Sequence, residues 1–489
     1  MAKLSVEQAL TKAKSHTKKG EVAEAQALYA TILKSFPNNK KAQQRLNALG
    51  GGGQHQYVAE LGPPQAVIDE LINLLNQGQL TQVLEQASRL SQLFPSSIFL
   101  YNICGVVYKG LGHIDASIEA YKKALVINPD YAEAHYNMGN AFFEHGKLNE
   151  SIEAYYKAVT IKPDYAEAYT NMGRALKRKG KLEEAIEAYK KGLTIKPDYA
   201  GAYYNMGNAL KELGKLAEAI GAYNNALAIK PDYVDALWNL SGTAENISQA
   251  QKYVEQCLNV DPNHSNAKLT LSALQFYEGD KYGFNTLMQS SLKDHPLMRS
   301  FAWAFNLPEL PELYFHRWAL FDRMIALSKK DRPFYEFGVW RGEAFQHLIN
   351  TFKKGYGFDT FEGIPEDWHD EKAGTYSNDG IIPQIKGGEF IVGKFEDTLP
   401  EFFAEPRPMA SVINFDADLY SSTICALNFS KPVIDEQTIL IFDEFLINEN
   451  WEQDEYKALN EFCLNNDYTY EVLAISFYTK QVAMKLIGI

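Results

Sequence analysis

Two apolar runs near the C-terminal end of this 489-residue chain stop in acids. VINF runs into Asp416-Ala417-Asp418, and TILIF, from Thr438, runs into Asp443-Glu444. Like charges that meet at surface-like dielectric repel by about 1 to 4 kcal/mol per pair. If the two ends meet, something should sit between them. Three further stretches carry residues of the same use. In YEFGVWRGEA, Gly338 and Gly342 let backbone approach a ligand closely, and Glu336 can bond a charged or hydroxylated group. In GFDTFEGIPE, Asp359 is set to accept ribose hydroxyls, with Phe361 beside it. In GKFEDTLPEF, Phe395 can lie against an adenine ring. Asp359 and Asp418 each have a structural alternative as a helix N-cap.

These stretches need elements to bring them together. Tyr335–Val339, KKGYGFDTF and GEFIVG read as strands, and SVINFD and TILIFD are apolar, as strands covered on both faces should be. EVLAISFY and QVAMKLIGI read as a closing antiparallel hairpin. Strands alternating with helices imply a mainly parallel sheet, and such sheets bind ligands at the carboxyl ends of their strands. Residues 331–489 are expected to form this α/β domain, after a connecting helical segment over 297–330. The stretch 366–389 lacks a period and lies between two strands. It is expected to be a lid, with Trp368 and His369 as acceptor contacts, or else a surface loop.

The rest of the chain repeats. Prolines at 95, 129, 163, 197 and 231 are each 34 residues apart. A 34-residue period with fixed glycines (Gly139, Gly173, Gly207; Gly146, Gly180, Gly214) and Ala-x-x-Tyr resembles the tetratricopeptide repeat. The resemblance implies an α-solenoid of helical hairpins over 64–296, with Pro163, Pro197 and Pro231 ending second helices. A further hairpin is expected over 1–49, with Pro37 in register, and a glycine-rich linker over 50–63. Asn137, Asn171, Asn205 and Asn239 recur at one place on the first helices. In this the chain resembles the superhelical part of O-GlcNAc transferase, where such a ladder holds a peptide backbone. A carboxamide can donate to and accept from an extended chain. The alternatives are a contact between helices for these asparagines, and self-association into a homo-oligomer for the array.

EFGVWRGE, GFDTFEGIPE, GKFEDTLP, DADLYSST and IFDEF follow one another in order. Together they resemble the macrocin O-methyltransferase family of sugar O-methyltransferases. That resemblance implies a Rossmann-like class I fold, S-adenosylmethionine as donor, and a magnesium (or manganese) ion. It also implies Asp416, Asp443 and Glu444 as metal ligands and Asp418 as base. The family usually carries Asp where Glu444 stands. The chemistry agrees: a hard divalent ion lowers the pKa of a sugar hydroxyl, and a carboxylate within reach takes the proton. An all-oxygen donor set favours magnesium over zinc. Two rivals stand beside this reading. DAD also matches the DxD by which many glycosyltransferases bind a nucleotide-sugar through manganese, and a non-enzymatic scaffold is the other.

From Asp331 onward the chain has 28 acids against 12 basic residues, whereas the remainder has 33 against 36. The acidic field of the C-terminal part disfavours nucleic acid and favours cations. Cys104, Cys257, Cys425 and Cys463 are scattered, without a CxxC pair, and read as reduced core residues. With no signal-like or membrane-spanning run in sight, a cytoplasmic location is the expectation, with a sugar or glycan-like acceptor and a protein or peptide as partners.

Overall fold

The 34-residue period folds as antiparallel helical hairpins: Ile98–Gly110 with Ile114–Ile127, Ala132–Glu144 with Leu148–Ile161, and Ala166–Arg178 with Leu182–Ile195. Each hairpin turns at a glycine in the left-handed region, as at Gly146 (φ +77°), where a side chain would clash with its own backbone. The helices close on small residues. A Cβ built on Gly173 would lie 2.6 Å from the ring of Tyr189, itself fully buried, and Ser151 Oγ donates 2.9 Å to the carbonyl of Gly139. The repeat glycine is therefore a socket for the repeat tyrosine. Gly173→Leu overfills that socket and is expected to cost about 1–3 kcal/mol, seen as an earlier helical melt by circular dichroism.

This computed structural model describes residues 6–36, 39–49, 62–369, 371–378 and 380–488. Pro37 and all but two residues of the expected linker lie outside these. Contacts divide the chain into two compact units, Met1–Asp198 and Tyr199–Ile489. The first holds the hairpins above, a hairpin at Gln65–Asn76 and Leu80–Leu93, and the helices Val6–Lys18, Val22–Ser35 and Lys40–Ala48. The second begins with three more pairs, Ala200–Glu212 with Leu216–Ile229, Val234–Ser241 with Ile247–Val260, and Ser265–Tyr277 with Tyr282–Met288. The chain is thus a helical solenoid of tetratricopeptide repeats followed by an α/β domain.

The α/β part of the second unit is one eight-stranded sheet. Its strands are β1 (Glu312–Tyr314), β2 (Phe334–Phe337), β3 (Gly355–Asp359), β4 (Gly388–Val392), β5 (Val412–Phe415), β6 (Ile439–Phe442), β7 (Thr469–Ser476) and β8 (Val482–Ile487). They lie in the order β1-β7-β8-β6-β5-β2-β3-β4. Only β8 is reversed, antiparallel to both β6 and β7. β2, β5 and β6 are buried at every position, because helices cover both faces. Phe345 and Leu348, and Leu320 and Phe321 of the helix Arg317–Leu327, pack on one face. Leu399, Leu427 and Phe462 pack on the other. β2 ends at Phe337 and not at Val339, because Gly338 leaves the strand at φ +87°. The segment expected only to connect supplies β1, which pairs in parallel with β7.

The strand register sets the site. Phe337 pairs with Phe358 and with Phe415, and Phe415 with Phe442. Their rings form one row, with centroids 4.8, 5.4 and 4.8 Å apart along Phe358, Phe337, Phe415 and Phe442. The hydrogen-bond ladder runs one rung further: Gly338 N–H donates to Phe358 O, Asp416 N–H to Phe337 O and Asp443 N–H to Phe415 O. Gly338, Asp416 and Asp443 therefore stand level at the carboxyl edge of the sheet. β2 and β5 are also where the order turns from one direction to the other, the switch point at which such sheets open a crevice.

Candidate functional site

A cavity of about 250 Å³ opens at this edge. Its walls include Glu336, Gly338, Asp359, Phe395, Asp416, Asp418, Asp443 and Glu444, so eight of the ten residues expected here meet at one place. The other two do not line it. Gly342 (φ +80°) opens the helix Glu343–Phe352, with Ile385 and Pro383 beside it. Phe361 is buried in the core, its ring 6.2 Å from that of Phe390.

Gly338 is fixed by its neighbour. A Cβ there would run into the carbonyl of Asp416, so the loops after β2 and β5 touch through backbone. Asp359 holds the first of these loops from the other side. Its Oδ2 accepts from the N–H groups of Val339 and Trp340, both at 2.7 Å, and its Oδ1 from Phe361 N–H at 2.6 Å. No helix begins there, so the capping alternative for Asp359 falls away. The same is true of Asp418. The helix Tyr420–Ser430 starts after Leu419 with no side-chain cap. Asp418 itself sits at φ +58°, a conformation that Asp tolerates better than most residues. Among the described residues no hydrogen bond reaches its carboxylate.

The opposite charge between the acids is an arginine. Arg317 Nη2 lies 3.1 Å from Asp443 Oδ1 and 3.5 Å from Asp416 Oδ2. Gln481 Nε2 also donates to Asp443 Oδ1, at 2.8 Å. Glu444 turns elsewhere: Lys480 Nζ donates to its Oε2 at 2.6 Å and Asn448 Nδ2 at 2.8 Å. Its backbone N–H donates to Glu455 Oε2 at 3.1 Å. Glu455 is fully buried, and its Oε1 has no partner among the described residues, nor has Oε2 of buried Glu336.

Burial and crowding hold several of these carboxyl groups above their usual range. Burial first, then Asp443, holds Asp416 well above the usual carboxylate range, against the pull of Arg317. Burial, then Glu444, does the same to Asp418, opposed by Lys480. Glu336 and Glu455 are raised mainly by burial. Burial pushes Arg317 down, but Asp443 and Asp416 outweigh it and hold the guanidinium above its ordinary value. Arg317, Lys480 and Glu455 belong to the site although no motif marks them.

The stretch after β3 folds over this edge. Ser421 Oγ donates to Glu366 Oε1 at 2.5 Å, His369 Nε2 lies 2.9 Å from Asp454 Oδ2, and Tyr376 meets the ring of Trp340 edge-on at 6.0 Å. Tyr376 lines the cavity; Trp368 and His369 do not. In the array, the asparagines bond across repeats. Asn137 Nδ2 donates to Asn102 Oδ1, Asn171 Nδ2 to Tyr136 Oη and Asn140 Oδ1, and Asn239 Nδ2 to Tyr204 Oη and Asn208 Oδ1, at 2.8–3.3 Å. Asn205, on the helix Ala200–Glu212, is half-buried. The amide donors at 137, 171 and 239 thus tie one repeat to the next. No helix among the described residues is long and apolar enough to cross a membrane.

Comparison with known proteins separates the two parts. A family model described as TPR repeat matches residues 105–146, 139–180, 173–214 and 207–241. The crystal structure of MamA is 28% identical over 33% of this chain and 96% of its own, with a TM-score of 0.32. That of pilF from Pseudomonas aeruginosa is 18% identical over 47% of this chain and 100% of its own, with a TM-score of 0.39. Over 23% of its length the chain is 29% identical to 8-demethyl-8-(2,3-dimethoxy-alpha-L-rhamnosyl)-tetracenomycin-C 4'-O-methyltransferase of Streptomyces olivaceus. The chain spans about half the length of that relative (52%). Residues 105–241 are tetratricopeptide repeats, and the chain carries a stretch distantly similar to a methyltransferase.

Proposed function

We propose that the α/β part transfers a methyl group from S-adenosylmethionine to a hydroxyl of a sugar or glycan, and that the repeats recruit the protein or peptide that presents it. The observation that carries this reading is the convergence of Gly338, Asp359 and Asp418 on one cavity at the switch point of the sheet. The similarity to an enzyme whose name records O-methylation of a rhamnosyl group supports the acceptor class. Gly338 lets the loops after β2 and β5 close on each other and form the stretch of cavity wall that faces the amino-acid end of the donor. Phe395 stands at the next strand end for its purine. Asp359 meets the ribose with less than a free carboxylate. Its Oδ2 is filled by two N–H groups, so Oδ1 is left for one hydroxyl. Asp418 takes the proton of the acceptor hydroxyl as the oxygen attacks the methyl carbon and the sulfonium leaves as a thioether. A hydroxyl held in line with the sulfur–methyl bond supplies the rest of the acceleration.

The divalent ion implied by the family resemblance fits only in part. The donors are all oxygen, and Asp416 Oδ2 and Asp443 Oδ1 converge on one point, but that point is held by Arg317. The expected third ligand, Glu444, is turned to Lys480 and Asn448. Among the described residues no group of three acidic, His or Cys side chains is placed to hold a metal. No step above passes through one.

Donor binding is the direct test. S-adenosylhomocysteine at 100 times its Kd should stabilise the protein by about 2.7 kcal/mol, read as a rise in Tm. Asp359→Asn keeps the shape but puts an amide where three N–H groups seek acceptors, so it should remove most of that rise. Manganese with UDP-sugars raising Tm while the methyl donor does not would favour glycosyl transfer instead.

A further inference from the structure

We propose that Arg317 is a built-in cation occupying the seat between Asp416 and Asp443, so that a divalent ion binds this seat only when the guanidinium is removed. The proposal deepens the reading above but rests on the geometry of the acids, not on methyl transfer.

Arg317 is the first residue of its helix, Arg317–Leu327. A cation there opposes the helix dipole, which favours anions at its N-terminus. The position is therefore poor for the helix and is compensated by the acids it faces. One nitrogen of the guanidinium serves both carboxylates, at 3.1 and 3.5 Å, as a metal between them would. The side chain is also boxed in. Its guanidinium lies 5.3 Å from the ring centre of Trp318 and 5.9 Å from that of Phe321. Trp318 is wedged in turn against the repeat turn at Gly214, where its Nε1 would be 2.9 Å from a built Cβ. An arginine free to swing away would not be backed by two rings. The partner expected to complete a metal site, Glu444, is occupied by a second cation, Lys480, at 2.6 Å. The acids at this edge are thus neutralised twice by the chain itself.

Arg317 then acts as a positioning residue. It holds Asp416 and Asp443 together and leaves Asp418, which no described residue bonds, as the carboxylate open to the cavity. The test is manganese binding to the full chain, read by the free Mn²⁺ signal in electron paramagnetic resonance. The wild type is expected to bind Mn²⁺ weakly, and Arg317→Met at least tenfold more tightly. Adding Asp443→Asn to Arg317→Met should abolish that gain, which places the ion in the seat. Equal or weaker binding by Arg317→Met than by wild type would overturn the proposal, as would a gain that survives Asp443→Asn. If Arg317→Met does not fold, Arg317→Gln replaces it. That variant removes the positive charge and keeps a polar side chain, so its Mn²⁺ affinity should also rise, and no rise would count against the proposal. The Tm rise with S-adenosylhomocysteine, followed in the same proteins, reports separately on the methyltransferase reading.

Discussion

Asp418→Asn is expected to lower methyl transfer by about 10²- to 10⁴-fold, the usual worth of a positioned general base, while leaving the Tm rise with S-adenosylhomocysteine intact. The substitution is well chosen on structural grounds. Asn tolerates the left-handed backbone at φ +58° as Asp does, so the loop after β5 keeps its shape. No described residue donates to the Asp418 carboxylate, so nothing in the protein is left unpaired when one oxygen becomes an amide. The change also takes a charge out of a crowded acidic place and should not lower stability. A tritiated-methyl donor offered with a panel of glycosides gives the rate. Transfer within threefold of wild type would remove Asp418 from the role of base.

Gly338→Ala is expected to be the most damaging single methyl group in the α/β part. The new Cβ meets the carbonyl of Asp416, which is backbone, on a residue whose own N–H is tied to Phe337 O. The residue would also be held at φ +87°, where a side chain costs about 1–2 kcal/mol by itself. The loop must move, and with it Val339 and Trp340, whose N–H groups anchor Asp359. A loss of at least about 2 kcal/mol should lower Tm by several degrees, together with loss of the donor-induced rise. A variant with wild-type Tm and an unchanged donor response would mean that the two loops do not touch as described.

Much of this site was legible in the sequence because strand ends are local. In NFD and IFD a strand-ending phenylalanine is followed at once by the acid, in EFG by the glycine, and in GFD the acid itself ends the strand. Parallel register then levels all four. The repeat was legible for the same reason: glycine, tyrosine and proline recur at a fixed spacing. What could not be read is what depends on distant parts meeting. Arg317 lies outside every motif, on a helix that looked like a connection, and only the fold brings it to acids far along the chain. The capping alternatives for Asp359 and Asp418 also needed the fold, since sequence alone does not show whether a helix starts at the next residue. The asparagine ladder repeats as expected, but its chemistry turned on which atoms face each other across neighbouring repeats.

Two contacts in the second unit bear on how such a chain can change over generations. Trp318 rests on the Gly214 turn, and the ring of Tyr478, between β7 and β8, lies tilted against that of Trp238 with centroids 5.3 Å apart. The repeats that carry Gly214 and Trp238 are therefore part of the foundation of the eight-stranded sheet. Repeated 34-residue blocks are prone to duplication and deletion, and a change of number upstream leaves these two contacts in place. Loss of a block at 200–260 would instead strip a wall from the α/β part. Length variation among sibling chains should accordingly be found upstream of this junction and stop short of it.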